Sequence, residues 1–270
     1  MALSLFPFRV SRAALLCALV LAVPVAGCKS SNFGDVTGST QAQIPSEPGA
    51  LNAYIDDWGR KYDSAPTNKS IALTYGRALR AGERNPQALA VLQTLALKYP
   101  NDMEVLGEYG KVLADNGRLK EAQDVLTRAH TPERPNWRIL SAQGSVADQL
   151  GQQEQAQGYY AAALKIVPDE PSVLSNLGLS YALGKNLTMA EQVLKLAEAQ
   201  PRADQRVRQN LALVLALEGK FKEAEQISAK DLSPQDAANN VLAIRNMIAQ
   251  SSTWKDIQVG GKPKTAGKTS

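Results

Sequence analysis

The 270-residue chain has two cysteines, one histidine and only 6% aromatic residues. Both cysteines, Cys17 and Cys28, stand close to the amino terminus. The histidine, His130, has no Cys or carboxylate at metal-ligand spacing, and the sequence contains no Ser-His-Asp set and no H-E-x-x-H motif. These shortages argue against zinc and His-based catalytic chemistry. We therefore expect no enzyme activity, no metal and no cofactor.

Motif spacing and charge also argue against nucleotides and nucleic acids as partners. The segment Gly267-Lys268-Thr269 has the ending of a phosphate loop, but Lys262 occupies the place of the required glycine and no strand precedes it. The formal net charge is +4, and removing Arg9 and Arg12 from the 30 basic residues leaves 28 against 26 acidic ones. A net charge of +2 indicates no nucleic-acid surface.

Small residues recur with a period of 34 along most of the chain. The eighth position of each period is occupied by Gly76, Gly110, Gly144, Gly178 and Ala212, and the twentieth by Ala88, Ala122, Ala156, Ala190 and Ala224. Such a period is typical of a solenoid of helix pairs. Because Gly and Ala allow close backbone approach, we expect the eighth and twentieth positions to meet where the paired helices cross.

This pattern resembles the tetratricopeptide-repeat family. The resemblance covers five consecutive units without an inserted residue, at residues 69–102, 103–136, 137–170, 171–204 and 205–238. It implies an all-α fold, a right-handed superhelical solenoid of antiparallel helix pairs. The turn within each pair is marked by a glycine, at Gly82, Gly117, Gly151, Gly184 and Gly219.

Both ends of the array carry signs of capping. Extending the register backwards makes residues 49–66 a lone second helix, with Tyr54 at the twentieth position and Trp58 at the twenty-fourth. At the other end Asp231 stands where the core favours Ala, and Ser233 predicts the start of a last helix over residues 234–250.

The first 28 residues have the pattern of a targeting segment. Arg9 and Arg12 precede an apolar run of 11 residues, 13–23, which is too short to span a bilayer. The following Val-Ala-Gly-Cys resembles the lipobox of bacterial lipoproteins, which implies cleavage before Cys28 and its lipidation with diacylglyceryl and acyl chains such as palmitate. A plain secretory signal with a chance cysteine is the alternative. Lys29 in place of Asp indicates, by analogy with enterobacterial sorting, the periplasmic face of the outer membrane.

These observations predict six segments. They are a lipoprotein signal peptide (1–27), a lipidated cysteine and disordered tether (28–48), an N-terminal capping helix (49–66), five repeats (67–238), a C-terminal capping helix (239–254, starting near 234) and a disordered basic tail (255–270).

The family resemblance implies a concave groove lined by the first helices, mainly at their second, fifth, ninth and twelfth positions. The residues that we select as a peptide groove are Arg77, Arg80, Lys111, Arg138, Ser175, Leu179, Arg206 and Leu213. The earlier ones are basic and the later ones more apolar, which favours a peptide with an acidic portion. The alternative, to which we give equal weight, is that these residues are ordinary solvated surface residues with no role in binding. The carboxylate clamp of chaperone-binding members is not expected, since Asn176 and Arg206 fit it but Ser141, Ser145 and Asn210 depart from it.

In overall layout, and in the ending DLSPQDAANNVLAIRNMIAQSSTW, the chain resembles the TadD lipoproteins of Tad (Flp) pilus assembly. The resemblance implies a scaffold for a pilus secretion apparatus, with the stabilisation or localisation of the secretin as its task. The implied partners are proteins of that apparatus and, through the lipid anchor, a membrane. Outer-membrane insertion lipoproteins of the BamD kind, type IV pilotins and scaffolds that recruit cell-wall hydrolases share the layout and remain alternatives.

Overall fold

The structure, a computed structural model, describes residues 44–258, with side chains described as far as Gln250. In this part of the chain all regular elements are helices, apart from one isolated antiparallel bridge between Thr131 and Arg134. None of these helices is both long enough and apolar enough to cross a membrane. The predicted signal peptide, Cys28, most of the tether and residues 259–270 of the tail lie outside the described residues.

The predicted all-α fold of helix pairs is confirmed. The helices are α1 (Pro48–Ser64), α2 (Lys69–Ala81), α3 (Asn85–Lys98), α4 (Met103–Asp115), α5 (Leu119–Thr127), α6 (Trp137–Gln149), α7 (Gln153–Ile166), α8 (Pro171–Leu183), α9 (Leu187–Glu198), α10 (Gln205–Leu217), α11 (Phe221–Ser228) and α12 (Pro234–Gln258). The chain divides after Tyr99 into two compact units, one ending with α3 and one beginning with α4.

In the N-terminal unit, α1 packs against the first repeat through Ile55, which is 1% exposed. A Cβ placed on Gly82 would lie 2.6 Å from the Ile55 Cδ1, so the helix fits closely over the turn of that repeat. Tyr54, which the register places at the twentieth position, is not the buried residue of α1; its neighbour Ile55 is. Tyr54 is only half-buried and stacks at a tilt on Trp58, because α1 has no paired first helix to bury it.

Within the repeats, each glycine at the eighth position admits a large side chain of the paired helix. A Cβ on Gly144 would lie 2.5 Å from the Tyr160 Cε1, and one on Gly178 would lie 2.6 Å from the Leu194 Cγ. Gly76 and Gly110 have the same relation to Leu92 and Leu126. The nearest atoms to each of these glycines therefore belong to the residue at the twenty-fourth position, whereas contact with the alanines at the twentieth position stays a prediction. Those alanines are all fully buried between helices.

The turns between paired helices use a left-handed residue at the fifteenth position. Gly117, Gly151 and Gly219 supply it with φ between 74° and 82°. In the first and fourth repeats the glycine stands one residue earlier, and Glu83 and Lys185 adopt φ of 56° and 64°. These two non-glycine residues are strained there, since a Cβ disfavours this conformation.

The first helices begin at well-defined caps. The side chains of Asn68, Asp102, Asn136 and Asp204 each accept hydrogen bonds from backbone N–H groups of the first turn. In the fourth repeat Pro171 opens α8 after Glu170, whose side chain makes no cap bond. The cap and proline positions keep the 34-residue register of the first helices.

The fifth repeat ends differently from the others. Asp231 accepts two hydrogen bonds from the Arg208 guanidinium, at 2.7 Å and 2.6 Å, which explains the acidic residue where Ala was expected. Ser233 caps α12 as predicted, by accepting from the backbone N–H of Asp236. Helix α12 packs on α10 and α11. It continues to Gln258, beyond the predicted end of the cap at residue 254.

Candidate peptide-binding surface

The candidate site lies on the first helices of the second to fifth repeats. Each of α4, α6, α8 and α10 packs directly against the next of the set, so they form one layer. Two side-chain amides tie the layer together at equivalent positions. Asn176 Nδ2 donates to Ser141 Oγ at 3.2 Å, and Asn210 Nδ2 donates to Ser175 Oγ at 2.9 Å. We call these four residues the Asn–Ser ladder.

A polar cavity of about 160 Å³ opens beside the ladder, between α8 and α10. Its lining consists of Glu170, Pro171, Ser172, Ser175, Asn176, Arg202, Asp204, Arg206, Val207 and Asn210. The volume falls well below the ~300 Å³ of typical small-molecule pockets. The cavity therefore suits a side chain or a short stretch of main chain better than a free metabolite.

The charges around the cavity are paired with one another. Arg202 contacts Glu170 at 2.9 Å, and Arg206 contacts Asp204 at 3.7 Å. Glu170 is the most enclosed of the four, with its side chain 12% exposed, and it also accepts a hydrogen bond from the Ser172 hydroxyl at 2.8 Å. Two positive and two negative groups leave the lining without net charge.

The structure brings only some of the sequence-selected groove residues together. Ser175 and Arg206 share the cavity. Lys111 is engaged by Glu108 at 3.1 Å, and the Arg138 guanidinium stacks on the Trp137 ring at 4.3 Å. Leu179 and Leu213 are half-buried in the C-terminal unit, whereas Arg77 and Arg80 are half-buried in the N-terminal unit. Their role in binding a peptide stays a prediction.

A partly buried polar cluster that joins α6, α7 and α8 was missed by sequence reasoning. The Asp148 carboxylate accepts from Tyr160 Oη at 3.0 Å and from Ser180 Oγ at 2.7 Å. Burial raises the pKa of Asp148, and the two hydroxyls offset part of that effect. Burial, together with the neighbouring Asp148 charge, raises the pKa of Tyr160 as well. The sequence signal for this cluster is a hydroxyl at the tenth position of the fourth repeat, Ser180, together with a carboxylate at the twelfth position of the third repeat, Asp148.

A second unforeseen cluster joins the fourth and fifth repeats. Glu191 on α9 contacts Lys195 at 2.7 Å and Lys220 at 2.6 Å. Hydrogen bonds from these lysines lower the pKa of Glu191 to about 2. The same contact, together with Glu218, raises the pKa of Lys220. We interpret this cluster as a structural tie between repeats, because Lys220 lies in the turn just before α11.

His130 has no ligand-like surroundings. Its Nε2 lies 3.0 Å from the Gln143 Oε1, and Gln143 is buried on α6. Across the described residues, no group of three His, Cys, Asp or Glu side chains is arranged to hold a metal ion. We read His130 as a packing residue of the loop between the second and third repeats.

Comparison with known proteins agrees with this architecture. The tetratricopeptide-repeat family matches residues 73–135 and 141–205. A repeat-containing protein of Dictyostelium discoideum is 31% identical over 122 residues, which make up 40% of this chain and 46% of that protein. The chain thus spans about half the length of the curated relative it matches. Over these matched segments the chain is similar to tetratricopeptide-repeat proteins.

Solved structures show the same fold at low identity. A thermophilic tetratricopeptide-repeat protein of Thermus thermophilus matches with a TM-score of 0.57 and 23% identity, over 69% of this chain and all of that one. PilW, described as a widely conserved type IV pilus biogenesis factor, matches with a TM-score of 0.62 and 17% identity, over 72% and 91%. Pseudomonas aeruginosa PilF matches with a TM-score of 0.50 and 18% identity, over 78% and 90%.

Proposed function

We propose that this protein is a membrane-anchored scaffold for a Tad/Flp-type pilus secretion apparatus, where it binds and stabilises or localises the secretin. The observation that carries the proposal is the layer of first helices in the C-terminal unit. It presents an open polar cavity beside ordered side-chain amides, in a repeat family that serves protein–protein interaction. Such a surface binds a segment of another protein and performs no chemistry on it.

Three further points support the pilus setting. The lipobox-like segment before Cys28 suits a protein held at the bacterial envelope. The ending of the chain resembles the TadD lipoproteins. Two proteins of the same fold, PilW and PilF, bear the names of pilus proteins, and this role is carried over here as a hypothesis.

The anchor is tested by Cys28→Ser. Because the thiol is the acceptor of the lipid, the variant should leave the membrane fraction and appear in the soluble periplasmic fraction. Cys17→Ser is the matched control, since that residue departs with the signal peptide. An unchanged distribution of the Cys28→Ser protein between fractions would count against lipidation.

The partner is tested by affinity purification from outer membranes, followed by binding of the purified secretin domain. We expect recovery of the secretin, and a loss of secretin multimers in cells that lack the protein. Arg206→Glu in the cavity should weaken the binding, whereas Gln226→Ala, at an exposed position of α11 outside the cavity lining, should not. Recovery of the outer-membrane insertion machinery without secretin would overturn the pilus role.

A type IV pilus role is the second candidate, favoured by the PilW likeness at a TM-score of 0.62. The same purification separates the two candidates, because the secretins and pilins of the two systems differ in sequence. Recovery of type IV pilus components would replace the Tad assignment while leaving the binding surface unchanged.

A further inference from the structure

Helix α12 continues the repeat register as the first helix of a sixth unit. Counting 34 residues on from Gln205 places the first position of that unit at Asn239. Val241, at its third position, is 2% exposed, and the third positions of the second to fifth repeats are buried in the same way. Ile244, at its sixth position, packs against the apolar cluster that joins the fourth and fifth repeats. From Asn239 onwards α12 therefore packs as a further first helix would.

The positions that close a helix pair are exposed on α12. In complete repeats the eighth position meets the twenty-fourth, and the fourth meets the twenty-seventh, as Arg208 and Asp231 do in the fifth repeat. The eleventh position lies on the same face of the first helix. On α12 these positions hold Leu242, Asn246 and Ala249. Leu242 is 53% exposed, whereas the leucines at the fourth position of the second, third and fourth repeats are 3%, 8% and 8% exposed. Asn246 and Ala249 are exposed as well.

Helix α1 presents the complementary half of a repeat. Ile55, at the twenty-first position, packs on the turn of the first repeat, and Tyr62, at the twenty-eighth, lies against Tyr75 with ring centroids 5.3 Å apart. The twentieth, twenty-fourth and twenty-seventh positions, which belong to the face of the first helix in a complete repeat, are Tyr54, Trp58 and Lys61. The two aromatic residues are half-buried and Lys61 is exposed, whereas the first four repeats bury all three positions.

The exposed faces of α12 and α1 match in size. Because paired helices are antiparallel, the eleventh position of one lies opposite the twentieth of the other. In the complete repeats the twentieth is always Ala, and the eleventh is Leu or Tyr in four of the five. Between α12 and α1 the sizes are exchanged, with Ala249 at the eleventh position and Tyr54 at the twentieth. Leu242 would lie against the methylene stem of Lys61, which can cover apolar surface while its ammonium group stays in water.

We propose that α12 of one copy of this protein packs against α1 of a second copy, so that two half-repeats complete one repeat across the contact. Trp58 then lies opposite Asn246, and its indole N–H donates to the side-chain carbonyl of that residue. The contact joins two different surfaces, so association continues beyond the dimer unless the copies close into a ring. A single helix pair is a small interface, which makes the association weak and reversible. It is independent of the partner proposed above.

The association is tested by sedimentation velocity of the purified Cys28→Ser protein. The concentration runs from about 10 μM to about 1 mM, the range of weak contacts. We expect the weight-average sedimentation coefficient to rise with concentration. A monomer over the whole range would overturn the proposal.

Charge variants test whether the fourth and twenty-seventh positions meet. Leu242→Lys should weaken association about tenfold, because an apolar contact is lost and a second positive charge faces Lys61. Adding Lys61→Glu should restore most of the affinity, since the facing charges are then opposite. Leu196→Lys is the matched control, because Leu196 is 58% exposed on α9 but stands at the twenty-sixth position, and it should associate like the wild type. Equal losses in the two leucine variants, or no recovery with Lys61→Glu, would refute this pairing.

Cysteine cross-linking identifies the two helices without relying on affinity. One preparation of the Cys28→Ser protein carries Lys61→Cys and the other carries Leu242→Cys. After mixing and oxidation they should form a disulfide-linked dimer with one copy of each, because facing positions of a helix pair lie within disulfide reach. Gln226→Cys, at an exposed position of α11, should not link to Lys61→Cys. Equal yields with the Leu242 and Gln226 variants would overturn the proposed contact.

Discussion

The third and fourth repeats close their helix pairs with apolar contacts, whereas the fifth closes with an ion pair. At the fourth and twenty-seventh positions, the inner repeats have Leu140 with Ala163 and Leu174 with Ala197, all in one apolar cluster. The fifth has Arg208 and Asp231 at these positions. The two charged side chains keep partial access to water, and α12 packs on α10 and α11. An inner repeat must bury both faces, but the terminal repeat tolerates polar groups.

The second difference concerns the crossing of the paired helices. The inner repeats pair a glycine at the eighth position with a large side chain at the twenty-fourth, as Gly144 does with Tyr160. The fifth repeat has Ala212 and the smaller Ser228 at these positions. A larger residue at the eighth position is thus accompanied by a smaller one at the twenty-fourth, because the two side chains share the space at the helix crossing.

The largest effect is expected from Gly144→Ala. The new methyl would lie 2.5 Å from the Tyr160 Cε1, and the ring is 2% exposed and anchored by Asp148, so it has no room to retreat. We expect a loss of about 2–3 kcal/mol in the free energy of unfolding, from overpacking. Urea denaturation followed by circular dichroism measures it.

Gly158→Ala is the matched control for that prediction. Gly158 is exposed on α7, and a Cβ there meets nothing within 4 Å. The same substitution should therefore stabilise the protein by up to about 1 kcal/mol, through helix propensity alone. Equal effects of the two substitutions would show that close packing does not decide the eighth position.

The next effect concerns the ion pair of the fifth repeat. Asp231→Ala leaves the Arg208 guanidinium, whose side chain is only 20% exposed, without its carboxylate. We expect a loss of about 2 kcal/mol, between the values for exposed and buried pairs. Equilibrium unfolding in urea measures it.

Combining Arg208→Leu with Asp231→Ala copies the inner repeats. The double variant should recover most of the stability lost in Asp231→Ala, because an apolar pair replaces a partly buried ionic one. A double variant less stable than Asp231→Ala would mean that the end of the array requires the charges.

The repeat period was enough to predict most of the fold, but it predicted little of the candidate site. Glycine and alanine spacing was enough to predict five helix pairs, because close backbone approach demands small residues at fixed places. It did not indicate that Tyr160, sixteen residues after Gly144, fills the space. The Asn–Ser ladder joins residues 35 apart, one more than the period, so a comparison of equal positions passes over it. Hydrogen-bond partners that occupy different positions of neighbouring repeats can be identified only from the three-dimensional structure.

A smaller effect is expected from Glu191→Gln at the tie between the fourth and fifth repeats. The folded pKa of Glu191 is about 2, below the ordinary value of 4.5, so its charge stabilises the fold above pH 4.5 and the contribution is lost as pH falls toward 2. Since Lys195 and Lys220 are 55% and 38% exposed, we discount the pKa shift and expect about 1 kcal/mol at pH 7. Unfolding curves from pH 7 to pH 2 should converge for wild type and variant. A difference that persists at pH 2 would assign the effect to packing.

The smallest effect, of opposite sign, is expected from Asp148→Asn. Burial raises the pKa of Asp148 in the folded state, so the folded protein binds the proton more tightly than the unfolded chain does. The charged form therefore costs stability at neutral pH, and the cost disappears as pH falls through the raised pKa toward the ordinary value of 3.8. Asparagine removes the charge, while its carbonyl still accepts from one hydroxyl and its amide donates to the other. We expect the variant to equal or exceed the wild type by less than about 1 kcal/mol at pH 7 and to lose this advantage in acid. The two substitutions thus give opposite pH slopes, which unfolding of both variants in the same buffers resolves. An Asp148→Asn protein that is less stable than the wild type at pH 7 would show that the carboxylate's two hydrogen bonds outweigh its desolvation.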